Sequence, residues 1–368
     1  MGEWIEKRMA ELCSIKKIIV IPSKQANTLF HVYSLPAFDN ERKPEKSFGR
    51  EIMSAKFAIE PWMILYNKLN VRFRRIWCIG GQIDDNSVCS SEFLPLVLNK
   101  CAQGFIYYFL LTQKFTDMMD SSHTGTSGSH QRIDVDFFKN QLLRIPSSLQ
   151  EQHDIAEVLA SLDDKIDLLT RQNATLEELA QTYFRQWFIE DINEKYNIFS
   201  IADVSVVETG KSIKCGEFRE IGNYSILGAN GEIGRTNNFL YSAADEVIIT
   251  GRVGTHGKVF LVNDNVWVSD NTLVIKPRQH KYRYALFFIL KGLDYEVLNV
   301  GSTQPLITQT DIKKQEFKAN DELFKKFDEI ATPLFKKIEF NLRQIYTLQK
   351  LRDTLLPKLI SGEVRVKQ

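Results

Sequence analysis

The sequence predicts an α+β fold: two α/β domains separated by a long antiparallel two-helix coiled coil, with a pseudo-twofold internal repeat. Three observations carry this expectation. In the stretch from Pro146 to Phe188, the residues Leu159, Leu162, Ile166, Leu169, Asn173, Leu176, Ala180, Tyr183 and Trp187 step alternately by three and four. These are a and d positions of successive heptads, and so narrow a stripe wants a partner helix rather than a globular core. The partner lies in the same chain, at an offset of 172 residues, where 8 of the 20 positions from Lys165 to Phe184 recur identically. Charge supports the pairing. Residues 147–194 hold 3 basic against 11 acidic side chains (−8), and residues 319–368 hold 10 against 7 (+3). Helices of opposite charge attract.

The elements then fall in order as 1–146, a first mixed domain; 147–190, the central helix; 191–318, a second mixed domain; and 319–368, the C-terminal helix and tail. In the first domain, Trp4, Ile5 and Leu12 lie on one helix-like face, followed by a strand at Lys17–Ile21. Short strand-like runs follow at Phe30–Leu35, Trp62–Tyr66, Ile76–Ile79 and Leu94–Leu98. The run Phe105–Met119 has helical spacing, a Gly/Ser/His-rich loop covers Ser121–Gln131, and Ile133–Asn140 reads as a short helix. Pro146 closes the domain. The second domain repeats the plan: strands at Tyr224–Leu227, Glu246–Thr250, Lys258–Val262 and Thr272–Ile275, an apolar helix at Tyr284–Leu290, a small-residue loop at Gly301–Gln304, and a short polar helix from Thr308. The second long helix runs from about Asp321 to Ile360.

A register follows. In an antiparallel pair facing positions have a constant index sum, and Asn173 opposite Asn341 gives 514. That choice makes Leu169–Ile345, Ile166–Leu348, Leu159–Leu355, Ala180–Leu334, Tyr183–Ala331 and Trp187–Phe327 apolar layers. Only Leu162–Arg352 is mixed, and Arg352 is expected to snorkel. A buried Asn layer fixes register at some cost in stability.

The bulk numbers exclude several classes. A chain of 368 residues with net charge +1 gives no overall sign of a polyanionic partner, although residues 1–146 carry +4 and residues 195–318 carry +2. The five cysteines form no Cys-x-x-Cys pair and no His cluster accompanies them, which argues against a metal site or a disulfide framework. The longest apolar runs are too short to span a bilayer, and no signal peptide is visible at Met1, so a cytoplasmic location is expected. Gly210-Lys211-Ser212 invites a P-loop reading, but Ser205 stands where that motif needs its first glycine. No Rossmann-type glycine loop, no Asn/Asp-Pro-Pro-aromatic motif and no convincing Ser/His/Asp or paired-carboxylate constellation is present.

Several ordered segments resemble the specificity subunit of type I restriction–modification systems: Tyr33–Lys56, Lys68–Trp77 (KLNVRFRRIW), Ser87–Leu94 (SVCSSEFL) and Thr124–Ile133 (TGTSGSHQRI) in the first half; Tyr224–Gly234 (YSILGANGEIG), Ile249–Val259 (ITGRVGTHGKV) and Gly301–Thr308 (GSTQPLIT) in the second; and the terminal LLPKLISGEVRV. The resemblance implies two target-recognition domains, each reading one half of a split, asymmetric DNA site, with the helices as spacer. It implies a non-catalytic chain of the bacterial or archaeal cytoplasm. Its partners would be double-stranded DNA, two adenine methyltransferase subunits and restriction/translocase subunits, and S-adenosylmethionine, ATP and Mg would sit on those partners. A stand-alone DNA-binding or anti-restriction protein that occupies a methyltransferase is the alternative.

Under that resemblance the candidate DNA contacts are basic and small polar groups beside turns. Lys68, Arg72, Arg74 and Arg75 cluster before the strand ending at Trp77, and read equally as a solvated surface run. The loop Gly125–Arg132 offers Ser127, His130, Gln131 and Arg132 beside two glycines, or is a plain connector. Ser302, Thr303 and Gln304 hold the corresponding place in the second half. Asn230 and Arg235 flank one glycine-rich turn, and Arg252, His256 and Lys258 occupy another. Asn230-Gly231 is also a strong hairpin signal.

Overall fold

The computed structural model describes residues 3–40, 42–124, 131–192, 196–253, 257–298 and 306–366. The chain forms two compact units, Met1–Asp167 with Tyr346–Gln368, and Leu168–Ile345. The division therefore cuts both long helices near their middles rather than at the domain ends.

The first unit is built on a four-stranded antiparallel sheet in the order Cys13–Ile15, Phe93–Leu98, Ile64–Asn67, Ile76–Cys78. Its central strands are almost wholly apolar because both faces are covered. Leu94 and Leu96, with Ile64 and Tyr66, enter the core beneath the helix Gln103–Leu110. Phe93, with Met63 and Leu65, enters a second core on the other face. That is the period-two alternation of a strand serving two cores. A second, five-stranded sheet runs Ile19–Val20, Lys56–Ala58, Ser87–Cys89, Leu29–Tyr33, Glu45–Phe48.

Two local expectations are corrected here. The segment after Trp4 is not helical at its start. Trp4–Arg8 is a strand paired antiparallel with Leu142–Pro146, and only Met9–Leu12 makes a helical turn. A partner more than a hundred residues away decides a window too short for its own periodicity to decide. The run Phe105–Met119 is broken into Gln103–Leu110 and Gln113–Asp120, because the Thr112 side chain accepts the Phe115 N–H and caps a new helix.

The second unit repeats the frame. Its main sheet has the order Ser205–Thr209, Thr272–Pro277, Ile248–Gly251, Val259–Leu261. Leu273 and Ile275 join the core under the helix Arg283–Lys291, and Val274 joins the opposite one. Asn197–Ser200 pairs with Glu316–Ala319 as Trp4–Arg8 pairs with Leu142–Pro146.

The long helices are Leu149–Arg185, ending in a π-turn at Gln186–Glu190, and Asp321–Ser361. Both are continuous across the two units. Inside the second unit, the fully buried Asn341 donates through Nδ2 to Asn173 Oδ1 at 2.8 Å and to Gln172 Oε1 at 2.9 Å. Asn173 Nδ2 and Asn341 Oδ1 are buried without partners among the described residues. Inside the first unit, Leu159 and Leu359 share a core, and Arg352 donates to Asp163 Oδ1 at 2.8 Å. Indices rise on one helix as they fall on the other, so the pairing within each unit is antiparallel. Arg352 does not merely snorkel: Asp163, which also accepts from the Tyr108 hydroxyl at 2.9 Å, holds it beside the seam. The seam departs from its heptads beyond Ala180. There Phe184 and Phe188 are buried, with Phe327 5.9 and 5.5 Å from their rings, while Trp187 is half-buried beneath the Lys326 ammonium. A straight helix drifts from a seven-residue repeat, and here the drift delivers two phenylalanines into the unit's core. Among the described residues, no helix is long and apolar enough to cross a membrane.

Candidate nucleic-acid interface

At the end of the strand Ile64–Asn67 the backbone of Lys68 makes two connections. Its N–H donates to the Glu92 carbonyl at 3.0 Å, and its carbonyl accepts from Ile133 at 3.0 Å. Leu69 bridges to Arg132, and the Asn70 N–H donates to the Gln131 carbonyl at 2.9 Å. Three segments meet here: the strand end, the turn Ser91–Glu92, and the returning stretch Gln131–Ile133. Arg132 clasps the Glu92 carboxylate with two bonds, Nε to Oε2 at 3.0 Å and Nη2 to Oε1 at 2.8 Å. Partial burial lowers the Lys68 pKa, with Lys17 and Arg132 adding to the effect and Glu92 opposing it.

The second unit builds the same junction from different side chains. Arg252 donates its N–H to the Asn271 carbonyl at 2.9 Å, and its own carbonyl accepts from Ile307 at 3.0 Å. Val253 bridges to Leu306. The turn is Asp270–Asn271, and it enters its strand as the first turn does, with Thr272 bonded to the Ser269 carbonyl and Phe93 to that of Ser90. Lys68 and Arg252 thus occupy one structural position, and so do Glu92 and Asn271. Against the second turn lies Gly210-Lys211-Ser212. The Ser212 hydroxyl donates to the Asp270 carboxylate, and the Lys211 carbonyl accepts from Trp267 Nε1 at 2.8 Å. Gly210 is required by close approach, since a Cβ there would stand 2.2 Å from the Ser269 carbonyl oxygen.

The structure therefore brings Lys68, Gln131 and Arg132 together and gives Arg252 the matching place. Three other candidates, Arg74, Arg75 and Arg235, are tied to structural partners. Arg75 is held by both carboxylate oxygens of Asp39 at 2.7 Å. Arg74, in a left-handed conformation, donates to the Leu111 carbonyl at 3.2 Å and to Gln113. Arg72 is exposed and lies over the Phe73 ring. Asn230 stands in a two-residue hairpin turn closed by Gly228 and Gly231, whose φ is +116°, a left-handed value suited to glycine. Arg235 donates to the Gly222 carbonyl at 2.9 Å and to Glu232 at 3.2 Å, which ties the hairpin down. Lys258 is exposed. Ser127, His130, His256, Ser302, Thr303 and Gln304 lie outside the described residues. Sequence reasoning missed Lys17, Glu92, Asp270 and Asn271 and discarded Lys211 and Ser212. The available signal was the pair Ser90-Ser91-Glu92 and Ser269-Asp270-Asn271, each opening the apolar central strand of its half. Among the described residues, no group of three or more His, Cys, Asp and Glu side chains is placed to hold a metal ion.

Two like units with a matched polar junction make a protein of duplicated build. Residues 81–178 and 193–319 match the family described as type I restriction modification DNA specificity domain. These segments cover more than half of the chain, which belongs to that family: its members are DNA-recognition subunits and not catalytic ones. The family supports this reading over the stand-alone or anti-restriction alternative. The MjaIX type I restriction enzyme specificity subunit of Methanocaldococcus jannaschii is 24% identical, over 72% of this chain and 69% of that one. The HindI specificity subunit of Haemophilus influenzae is 30% identical over a shorter stretch, 37% of this chain and 30% of that one. The crystal structure of a type I restriction–modification S subunit from M. genitalium shares the fold, with a TM-score of 0.66 at 17% identity, covering 97% of this chain and 96% of that one.

Proposed function

We propose that each unit reads one half of a two-part, asymmetric DNA site, and that the chain positions two adenine methyltransferase subunits and the restriction/translocase subunits on it. The observation that supports this reading best is the matched junction. One backbone arrangement, carrying Lys68 in the first unit and Arg252 in the second, presents different side chains, as two readers of different half-sites require. Lys68 and Arg252, with Lys17 and Lys211 nearby, are the phosphate-gripping cations; such contacts fix register on the duplex, and base-edge contacts add sequence. The side chains at the loops of both halves, Ser127, His130, Gln131, Ser302, Thr303, Gln304 and His256, complete the candidate surface. The long helices set the gap between half-sites. They also present Leu168, Leu179, Phe340, Leu342, Tyr346 and Leu351, all exposed apolar side chains, to the methyltransferase subunits. S-adenosylmethionine, ATP and Mg act on those partners, in the bacterial or archaeal cytoplasm.

The deciding experiment is single-molecule methylome sequencing of a host with and without this gene plus its neighbours. The expected result is one new two-part methylated motif with a fixed gap. Methylation without a split motif, or none at all alongside an active methyltransferase, would overturn the reading.

A further inference from the structure

The turns Ser91–Glu92 and Asp270–Asn271 have the same backbone role and different side chains. Asn271 is exposed, and its amide has no hydrogen-bond partner among the described residues. Its turn is braced on three sides: Gly210 donates to the Thr272 carbonyl at 3.0 Å, Ser212 binds the Asp270 carboxylate, and the Arg252 guanidinium lies 3.4 Å from the Asp270 carbonyl. A short amide on a rigid turn beside a cation offers one donor and one acceptor, the pair that matches N7 and N6 of adenine in the major groove.

In the first unit the same position works through a neighbour. Glu92 engages Arg132 side-on, through Nε and Nη2, with a side chain that is itself only 23% exposed. That clasp leaves Nη1 and the second hydrogen of Nη2 without a partner among the described residues. These end-on donors are the ones that read O6 and N7 of guanine. A guanidinium locked by a half-buried carboxylate reaches the duplex already oriented and loses little side-chain freedom on binding.

We propose that this turn position determines one base in each half-site: Asn271 reads an adenine directly, and Glu92 is the positioning residue that aims Arg132 at a guanine. The assignment rests on the DNA-recognition reading above and deepens it by naming residues and bases. Lys68 and Arg252, whose backbone N–H groups donate to the Glu92 and Asn271 carbonyls, then serve as its phosphate anchors.

The test is selection of binding sites from a randomised duplex library by the complex of this chain with its methyltransferase subunits, with binding repeated over a salt series. Asn271→Ala is expected to lower the preference for adenine at one position of one half-site roughly ten-fold, leaving the other half-site, the gap and the salt dependence unchanged. Glu92→Gln is expected to weaken the guanine preference at one position of the other half-site, with Arg132→Lys affecting that same position. Lys68→Gln should instead weaken all sequences alike and reduce the salt slope by about one. A purely structural Glu92 would lower thermal stability without changing any base preference, and that outcome overturns its assignment. Unaltered preferences in Asn271→Ala, or losses spread over both half-sites, overturn the proposal for the turn. Should Glu92→Gln fail to fold, Asn271→Ala decides alone, because that side chain makes no hydrogen bond among the described residues. A wild-type complex that selects no two-part sequence would refute the recognition reading itself, which a wild-type motif indifferent to both variants would leave standing.

Discussion

Gly210 shows how much a single residue constrains the second junction. Its missing side chain lets the segment pass so close to the carbonyls of Ser269 and Val268 that an added Cβ would stand 2.2 and 2.5 Å from their oxygens. Backbone cannot yield as a flexible side chain does, so Gly210→Ala is expected to cost about 1–3 kcal/mol, the range for overpacking a tight site. A chemical denaturation curve superimposable on wild type would sink that account. Acidic residues give a second prediction at this scale. The Lys276 ammonium, helped by the amide and hydroxyl of Ser242, holds the Asp245 carboxyl below its ordinary range, and the Arg75 guanidinium does the same for Asp39. Folded values below the unfolded value of about 3.9 mean that the unfolded chain takes up protons first as pH falls. Their contribution is therefore complete above about pH 4 and is lost as pH drops through the folded values. Thermal midpoints measured from pH 6 to pH 3 should decline, less steeply for Asp245→Asn than for wild type.

At the scale of elements, the Asn173–Asn341 contact leaves two buried amide atoms, Asn173 Nδ2 and Asn341 Oδ1, without a partner among the described residues. A buried polar layer costs stability and narrows the choice of register. Replacing both residues by leucine is expected to raise the denaturation midpoint and loosen the register, while Asn341→Leu alone should destabilise by about 1–3 kcal/mol, because Asn173 and Gln172 lose their donor. If both variants shift stability in the same direction, this assignment of cost is wrong. The helices were the most legible part of the sequence. Periodicity, the internal repeat and the charge split place their stripes and the Asn pair, and they fail only beyond Ala180, where the unit's aromatic core outweighs the heptad. The strand Trp4–Arg8 was illegible for the opposite reason, since its partner lies at the far end of the domain. The site was legible as composition and not as geometry. Basic clusters were visible, but nothing in one sequence says that Arg75 answers Asp39, that Arg235 ties down a hairpin, or that Glu92 and Asn271 share a place. Such pairings are made by tertiary contact.

For the molecule as a whole, the proposed spacing by helices makes a quantitative demand. Removing seven residues from each long helix, taken from facing layers, shortens the pair by about 10 Å at 1.5 Å per residue. At about 3.4 Å per base pair the methylated motif should lose about three base pairs of gap and keep both half-sites. An unchanged gap would reject the helices as the spacer. Assembly is expected to follow the exposed apolar residues: Phe340→Ser with Tyr346→Ser should reduce co-purification of the methyltransferase without moving the DNA motif of whatever complex remains, which a pull-down and a methylome read together would show.

The Asn layer also bears on heredity. The repeat carries Asn173 onto Ile345 and Asn341 onto Leu169, so the counterpart of the polar layer is an apolar one, with Leu169 only 3% exposed. The two halves of the gene are thus not interchangeable where they meet, although they descend from one plan. Both asparagines lie outside residues 191–318, and a recombination event that replaces that segment from a related gene leaves their match intact. Replacing one long helix by a copy of the other would set an amide against an isoleucine or a leucine. The pair thus acts as a compatibility mark on the helices, which an exchange confined to residues 191–318 leaves untouched.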